Sequence, residues 1–320
     1  MQKINVVVNC TNRKKVPAPE ALQLRSIPQV AAARRVELWM RRLAEHDAPS
    51  VPVLDLYAGD HWHVARTIVT EALVHGRDAR LWVCSAGHGL LHDRARVKPY
   101  SATFTPGQPD SITSVGASVA RSELRHWWAG IIASRTGPEP RSLQELADRE
   151  PSTPLLIVAS QPYLEAMSDD LSAAVEALAS RDLLSILSIG VLPSRLRKLG
   201  PHLLEADARL ETEVGGTRSA LNVRVARSLL RAADGKAEVT TSDLALILRR
   251  MAHGLPPPRV HDRRKMTDDE VRAYVIQARR DDPRVSKTQL LRALRESGAA
   301  CEQVRFGALF AELTRTAGHE

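Results

Sequence analysis

Several features are missing from this 320-residue chain. No run of about eighteen apolar residues occurs, so no segment reads as a bilayer span. The N-terminus does not follow the basic, apolar, small-residue layout of a secretory signal. The three cysteines, Cys10, Cys84 and Cys301, lie far apart, which is neither a disulfide framework nor a zinc spacing. Together these absences predict a protein of the reducing cytoplasm with no membrane partner. Neither G-x-G-x-x-G nor G-x-x-x-x-G-K-[ST] is present, which counts against a dinucleotide oxidoreductase and an NTPase. His61 and His63 have no third ligand spaced to join them, so no metal is expected, and no organic cofactor either.

What is present is a 43% hydrophobic chain in which short apolar runs alternate with helical periodicities. Strands are predicted at 4–8, 52–57, 80–84, 154–159 and 184–190. Helices are predicted at 28–46, 61–75, 112–134, 161–179 and 194–200, with a connecting loop over 136–153 that holds a short helical piece. This alternation predicts an α/β fold, a three-layer α/β/α arrangement on a mostly parallel sheet. The predicted organisation is an α/β domain over 1–214, a helical extension over 215–254, a proline-rich linker over 255–266 and a basic helical module over 267–320.

Charge is distributed unevenly between these parts. Residues 215–320 hold 20 Lys+Arg against 13 Asp+Glu, a net of +7 of the chain's +8. Positive charge gathered on one module is an electrostatic footprint for a polyanion, although a solvated arginine-rich surface gives the same count. The module reads as three helices with a short turn between the last two, a helix-turn-helix-like pattern, and Ser286 with Gln289 forms a capping box. Lys287, Arg292, Arg295 and Arg305 are its candidate contacts to double-stranded DNA. A helical bundle for protein contacts is the alternative.

Chemistry gathers where predicted strands end, the place where open α/β sheets bind ligands. After the first strand come Asn9, Cys10, Arg13, Lys14 and Lys15. Asn9 suits orienting a water or reading a base edge, and equally suits a turn. Cys10 is a nucleophile or a packed thiol, and the three cations are candidate phosphate contacts. After the second come Asp60, Trp62 and His63: Asp60 is a general base, an electrostatic stabiliser or a helix cap, and Trp62 a stacking platform or core. After the third, Ser85, Gly87 and His88 form a small-residue turn, followed by Tyr100, Ser101 and Phe104, between whose rings a planar base can lie. Ser194 and Arg195, after the fifth strand, are candidate grips on a DNA backbone.

Taken together, Cys10 with Lys14, Tyr57 with Gly59, Ser85-Ala86-Gly87-His88-Gly89-Leu90, and Pro99-Tyr100 resemble a family found in bacterial and phage proteins and in the α/β domain of archaeosine synthases, related to uracil-DNA glycosylases. The resemblance covers residues 1–110 well and 150–200 loosely. It implies a nucleobase-handling domain similar to the antiphage DNA glycosylases that excise glucosylated hydroxymethylcytosine. The Asp-Pro-Tyr signature of uracil-DNA glycosylases is absent after the first strand, and their His-Pro-Ser loop is echoed only as Leu192-Pro193-Ser194. By resemblance, Asn9 matches an asparagine that positions water. The expected function is therefore a DNA glycosylase of antiviral defence acting on modified phage DNA, with Asn9, Asp60 and His88 as catalytic candidates. The rival readings are a metabolite-sensing DNA-binding regulator and an RNA or tRNA base-modification enzyme.

Overall fold

The computed structural model describes the whole chain except residues 1, 114–116, 191–193, 237, 258–262, 284 and 317–320, and the side chains of 117–120, 194, 195, 197, 304, 315 and 316. It divides into two units, Met1–Pro256 and Pro257–Glu320. Among the described residues, no helix is long and apolar enough to cross a membrane.

In chain order the first unit contains β1 (Gln2–Asn9), α1 (Ala32–Glu45), α2 (Asp60–Val74), β2 (Arg77–Ser85), β3 (Gly89–His92), α3 (Ala117–Ser134), α4 (Leu143–Arg149), β4 (Leu155–Val158), α5 (Gln161–Ala166) and α6 (Ser168–Ala177). It continues with β5 (Leu184–Ile189), β6 (Leu203–Ala206), α7 (Leu221–Ala232) and α8 (Thr241–Ala252). The six strands form one sheet in the order β3-β2-β1-β4-β5-β6. Every pairing is parallel except β2 with β3. The central strands carry Val, Ile and Leu on both faces (Val6, Val7 and Val8 in β1; Leu155 to Val158 in β4), because helices cover the sheet on both sides. One layer holds α2, α7 and α8; the other holds α1, α3, α4, α5 and α6. This is the expected three-layer α/β/α fold, and α7 and α8, within the stretch read as a helical extension, form much of one layer.

Three local differences from expectation have physical causes. The strand expected over 52–57 does not form: Val51–Pro52 makes a two-residue antiparallel pair with Arg96–Val97, and Val53–Leu56 turns into one helical turn. Pro52 offers no N–H to a ladder and its fixed φ suits the start of a helix. Ser85 to Leu91 folds back as a hairpin, with Ala86, Gly87 and His88 between the paired Ser85 and Gly89. The short β6, which the apolar pattern did not reveal, extends the sheet beyond β5.

The second unit has its own core of Val271, Val275, Leu290, Leu291, Leu294, Cys301, Phe306 and Leu309. Its helices are α9 (Asp268–Asp281), α10 (Lys287–Glu296) and α11 (Gln303–Thr316). Capping boxes start α9 (Thr267 with Glu270) and α10 (Ser286 with Gln289), each satisfying amide donors that the first helical turn leaves open. A two-residue parallel pair, Arg264–Lys265 with Ala299–Ala300, ties the segment before α9 to the turn after α10.

Candidate functional site at the strand ends

The chain leaves β1 toward β2 on one side, whereas β4 is followed by β5 on the other. The sheet therefore reverses direction between β1 and β4, and such a switch point opens a crevice at the carboxyl ends of its two strands. Two contacts span it. The Ser160 N–H donates to Asn9 Oδ1 at 3.2 Å, and Cys10 Sγ lies 3.1 Å from the Tyr163 hydroxyl. Asn9 Nδ2 donates to the Cys10 carbonyl, so its amide is oriented from both ends while the residue stays partly exposed.

Beside these two contacts is a closed polar cluster. The Tyr100 hydroxyl accepts from Ser85 Oγ at 2.7 Å, donates to Cys10 Sγ at 3.3 Å, and lies 3.1 Å from the Tyr57 hydroxyl. Ser85 Oγ accepts in turn from the Gly87 and His88 amides, which shapes the hairpin turn. A Cβ at Gly87 would stand 2.3 Å from the Tyr100 ring, so only glycine lets the turn lie on that ring. Burial pushes the Tyr100 and Tyr163 hydroxyls well above their usual range, keeping them neutral donors.

His88 packs edge-on against Tyr100, with ring centroids 4.8 Å apart. Its Nε2 is 3.0 Å from the Lys98 carbonyl, which can only accept, so Nε2 carries the proton. Burial lowers its pKa to about 4, so at neutral pH it is an uncharged hydrogen-bonding group and not a ready acid. His61, which the sequence reading did not select, behaves similarly: Nε2 donates to the Asn9 carbonyl at 3.2 Å, and burial lowers its pKa to about 4.

Asp60 is the first residue of α2, where a carboxylate complements the helix dipole. Gly59 occupies the cap position and the Asp60 carboxylate reaches α7 and the segment before it: Oδ1 accepts from Arg224 at 2.6 Å and Oδ2 from the Thr217 hydroxyl at 2.7 Å. These bonds hold its pKa below the usual value, so Asp60 is ionised at neutral pH, and its side chain remains 30% exposed.

Several proposed roles require correction. Trp62 is not a stacking surface; it is buried in the core, edge-on to Tyr57, with Nε1 donating to the Leu54 carbonyl. Tyr100 and Phe104 are fully buried, and Phe104 meets Tyr163 edge-on, so no open slot separates them. Ser101 bonds Asp110 and serves the loop. Lys14 is not a free phosphate contact: its Nζ sits 4.4 Å from the Tyr100 ring centroid. His63, Arg13 and Lys15 are exposed. Ser194 and Arg195 have side chains outside the described residues, as do Leu192 and Pro193 altogether.

In the second unit, Arg305 is engaged in structure, pairing with Asp268 at 2.5 Å and donating to the Met266 carbonyl. Arg292 pairs with Glu296 one helical turn on, Lys287 is exposed, and Arg295 is within 3.5 Å of the Cys301 carbonyl.

Two recesses lie away from the strand-end cluster. One of about 530 Å³ is lined by Arg77, Arg80, Trp82 and Glu150, and one of about 690 Å³ by Glu205, Arg209, Thr241 and Arg249. The residues that the sequence reading passed over are His61, Tyr163, Thr217 and Arg224. None carries a local pattern that marks it; each joins through a contact more than fifty positions away in the chain. No family model matches this chain, and neither a curated protein nor a solved structure matches it.

Proposed function

We propose that the first unit is a DNA glycosylase that hydrolyses the N-glycosidic bond of a modified base, and that the second unit supplies positive charge for the DNA backbone. One observation carries this reading: Asn9, Cys10, Lys14, Tyr57, Ser85, His88 and Tyr100 converge at one end of the sheet, with Asn9 at the switch point. His61 links the adjoining Asp60 to that end through the Asn9 carbonyl.

A base cannot be reached inside a duplex, so its nucleotide is extruded at a cost of a few kcal/mol. Bond cleavage places oxocarbenium character on the deoxyribose. Asp60, ionised but already paired with Arg224 and Thr217, is the candidate carboxylate beside that charge, and the fixed, partly exposed amide of Asn9 orients the attacking water. The exposed Lys287 and Arg292 give the second unit cations for phosphates. The resemblance to antiphage glycosylases points to glucosylated hydroxymethylcytosine as the base and to phage defence as the setting.

The test is release of a free base. Purified protein is incubated with duplexes carrying single modified cytosines, and the small products are read by mass spectrometry, with alkali revealing abasic sites. Glucosylated hydroxymethylcytosine is the expected product, and Asn9→Ala lowers its release at least ~100-fold, the order seen when one transition-state hydrogen-bonding group is removed. No free base and no alkali-labile site on any substrate would refute the reading. The rival reading is a DNA-binding regulator that senses a metabolite; a single discrete footprint without base release would support it.

A further inference from the structure

Lys14 occupies a position unlike that of its neighbours Arg13 and Lys15, which are exposed. It follows the end of β1 by five residues and bridges backbone-to-backbone with Tyr57. Its Nζ lies 4.4 Å from the Tyr100 ring centroid and 5.8 Å from that of Tyr57. The one hydrogen bond it makes among the described residues is to the Thr11 carbonyl, at 3.3 Å. No carboxylate among the described residues forms an ion pair with it. Asp110, whose charge is felt at Lys14, is committed to the Arg25 amide and the Ser101 hydroxyl.

A lysine held for phosphate binding extends its amine into solvent, and one held by an ion pair meets a carboxylate. This amine does neither. It is partly withdrawn from water over two aromatic faces, at the rim of the cluster that also holds Cys10, Ser85 and Tyr100. Burial lowers its affinity for a proton, which raises the fraction present as free amine. Desolvation of this kind turns a lysine into a carbonyl nucleophile.

We propose that Lys14 is a catalytic residue that condenses, through its ε-amine, with the C1′ aldehyde of an abasic deoxyribose to form an imine. The step is balanced. The nitrogen lone pair forms a C–N bond to C1′, the aldehyde oxygen departs as water after taking two protons from the amine, and no oxidant or reductant is consumed. This inference deepens the glycosylase reading and rests on it for its biological setting, because an abasic site is the product of base release. Its test does not depend on base release.

The whole protein is mixed with a labelled duplex that already contains one abasic site, and sodium borohydride is added to reduce any imine to a stable amine. The expected result is a covalent protein–DNA adduct on a denaturing gel. Proteolysis and mass spectrometry of the wild-type adduct should then place the deoxyribose remnant on Lys14. Lys14→Arg, which keeps charge and stem but removes the nucleophilic amine, should reduce the adduct at least tenfold with its melting temperature unchanged. Absence of a trapped adduct, or a remnant mapped to Lys15 or any other amine, would overturn the proposal. If the adduct forms on Lys14 while no modified base is released from any duplex, the lysine chemistry stands and the glycosylase reading falls. If bases are released without an adduct, the reverse holds.

Discussion

The two ends of this chain handle polar groups in opposite ways. At the strand ends of the first unit, Cys10, Tyr57, Ser85 and Tyr100 are almost completely buried and bonded to one another. In the second unit, Arg292 is 81% exposed and its partner Glu296 65% exposed. A buried network is consequential because each member that loses its partner bears the whole desolvation cost. An exposed ion pair is screened by water and salt, and contributes under about 1 kcal/mol. The buried cluster is therefore specified residue by residue, whereas exposed pairs such as Arg292 with Glu296 contribute mainly charge to the surface of the second unit.

The largest effect that probes this contrast is expected at Gly87. Gly87→Ala drives a Cβ into the Tyr100 ring and should cost about 3 kcal/mol, at the upper end of overpacking penalties, read as a fall in urea midpoint. A cost below about 0.5 kcal/mol would mean that the turn does not rest on the ring.

Next comes acid sensitivity. His61 and His88 have pKa values of about 4, below the ordinary 6.5, so the unfolded chain binds protons that the folded chain refuses. Stability is therefore full above about pH 6.5 and falls as pH drops toward 4, by roughly 3 kcal/mol for His61 at the bottom of that window. His61→Gln should roughly halve the fall over pH 4–6.5, because His88 still titrates there, and an unchanged profile would contradict the burial of a neutral imidazole beside Asn9.

The smallest effects belong to the second unit. Arg292→Ala should change stability by less than ~0.5 kcal/mol; under the proposed DNA-binding reading it should also lower the salt dependence of that binding by about one counterion. Arg305→Ala should cost more, about 1 kcal/mol, because it removes an ion pair together with a bond to the Met266 carbonyl. Equal costs would erase the distinction between a cation held by the fold and one left to solvent.

The parts of the fold that were legible in the sequence are those governed by local pattern. The apolar runs of β1, β2, β4 and β5 were visible because strands buried on both faces carry continuous Val, Ile and Leu. The Ser286–Gln289 capping box was visible because its partners are three residues apart. The helical turn at 53–56 was missed although Pro52 argued against a strand, and β6 was missed because four residues ending beside a helical turn give too short a period.

The sequence alone determined that polar groups would collect where strands stop, since burial of the sheet leaves only strand ends for Asn9, Ser85 and His88; Asp60, expected after a strand that does not form, instead opens α2. It also determined that positive charge would sit in the last third. Tertiary structure alone decided which polar groups face a crevice and which close on each other. It placed Trp62, Tyr100 and Phe104 in the core, tied Asp60 to Arg224, and moved Lys14 from a presumed surface cation to an amine over aromatic rings. The physical reason is that desolvation and hydrogen-bond satisfaction depend on what packs around a group, and those neighbours come from distant parts of the chain.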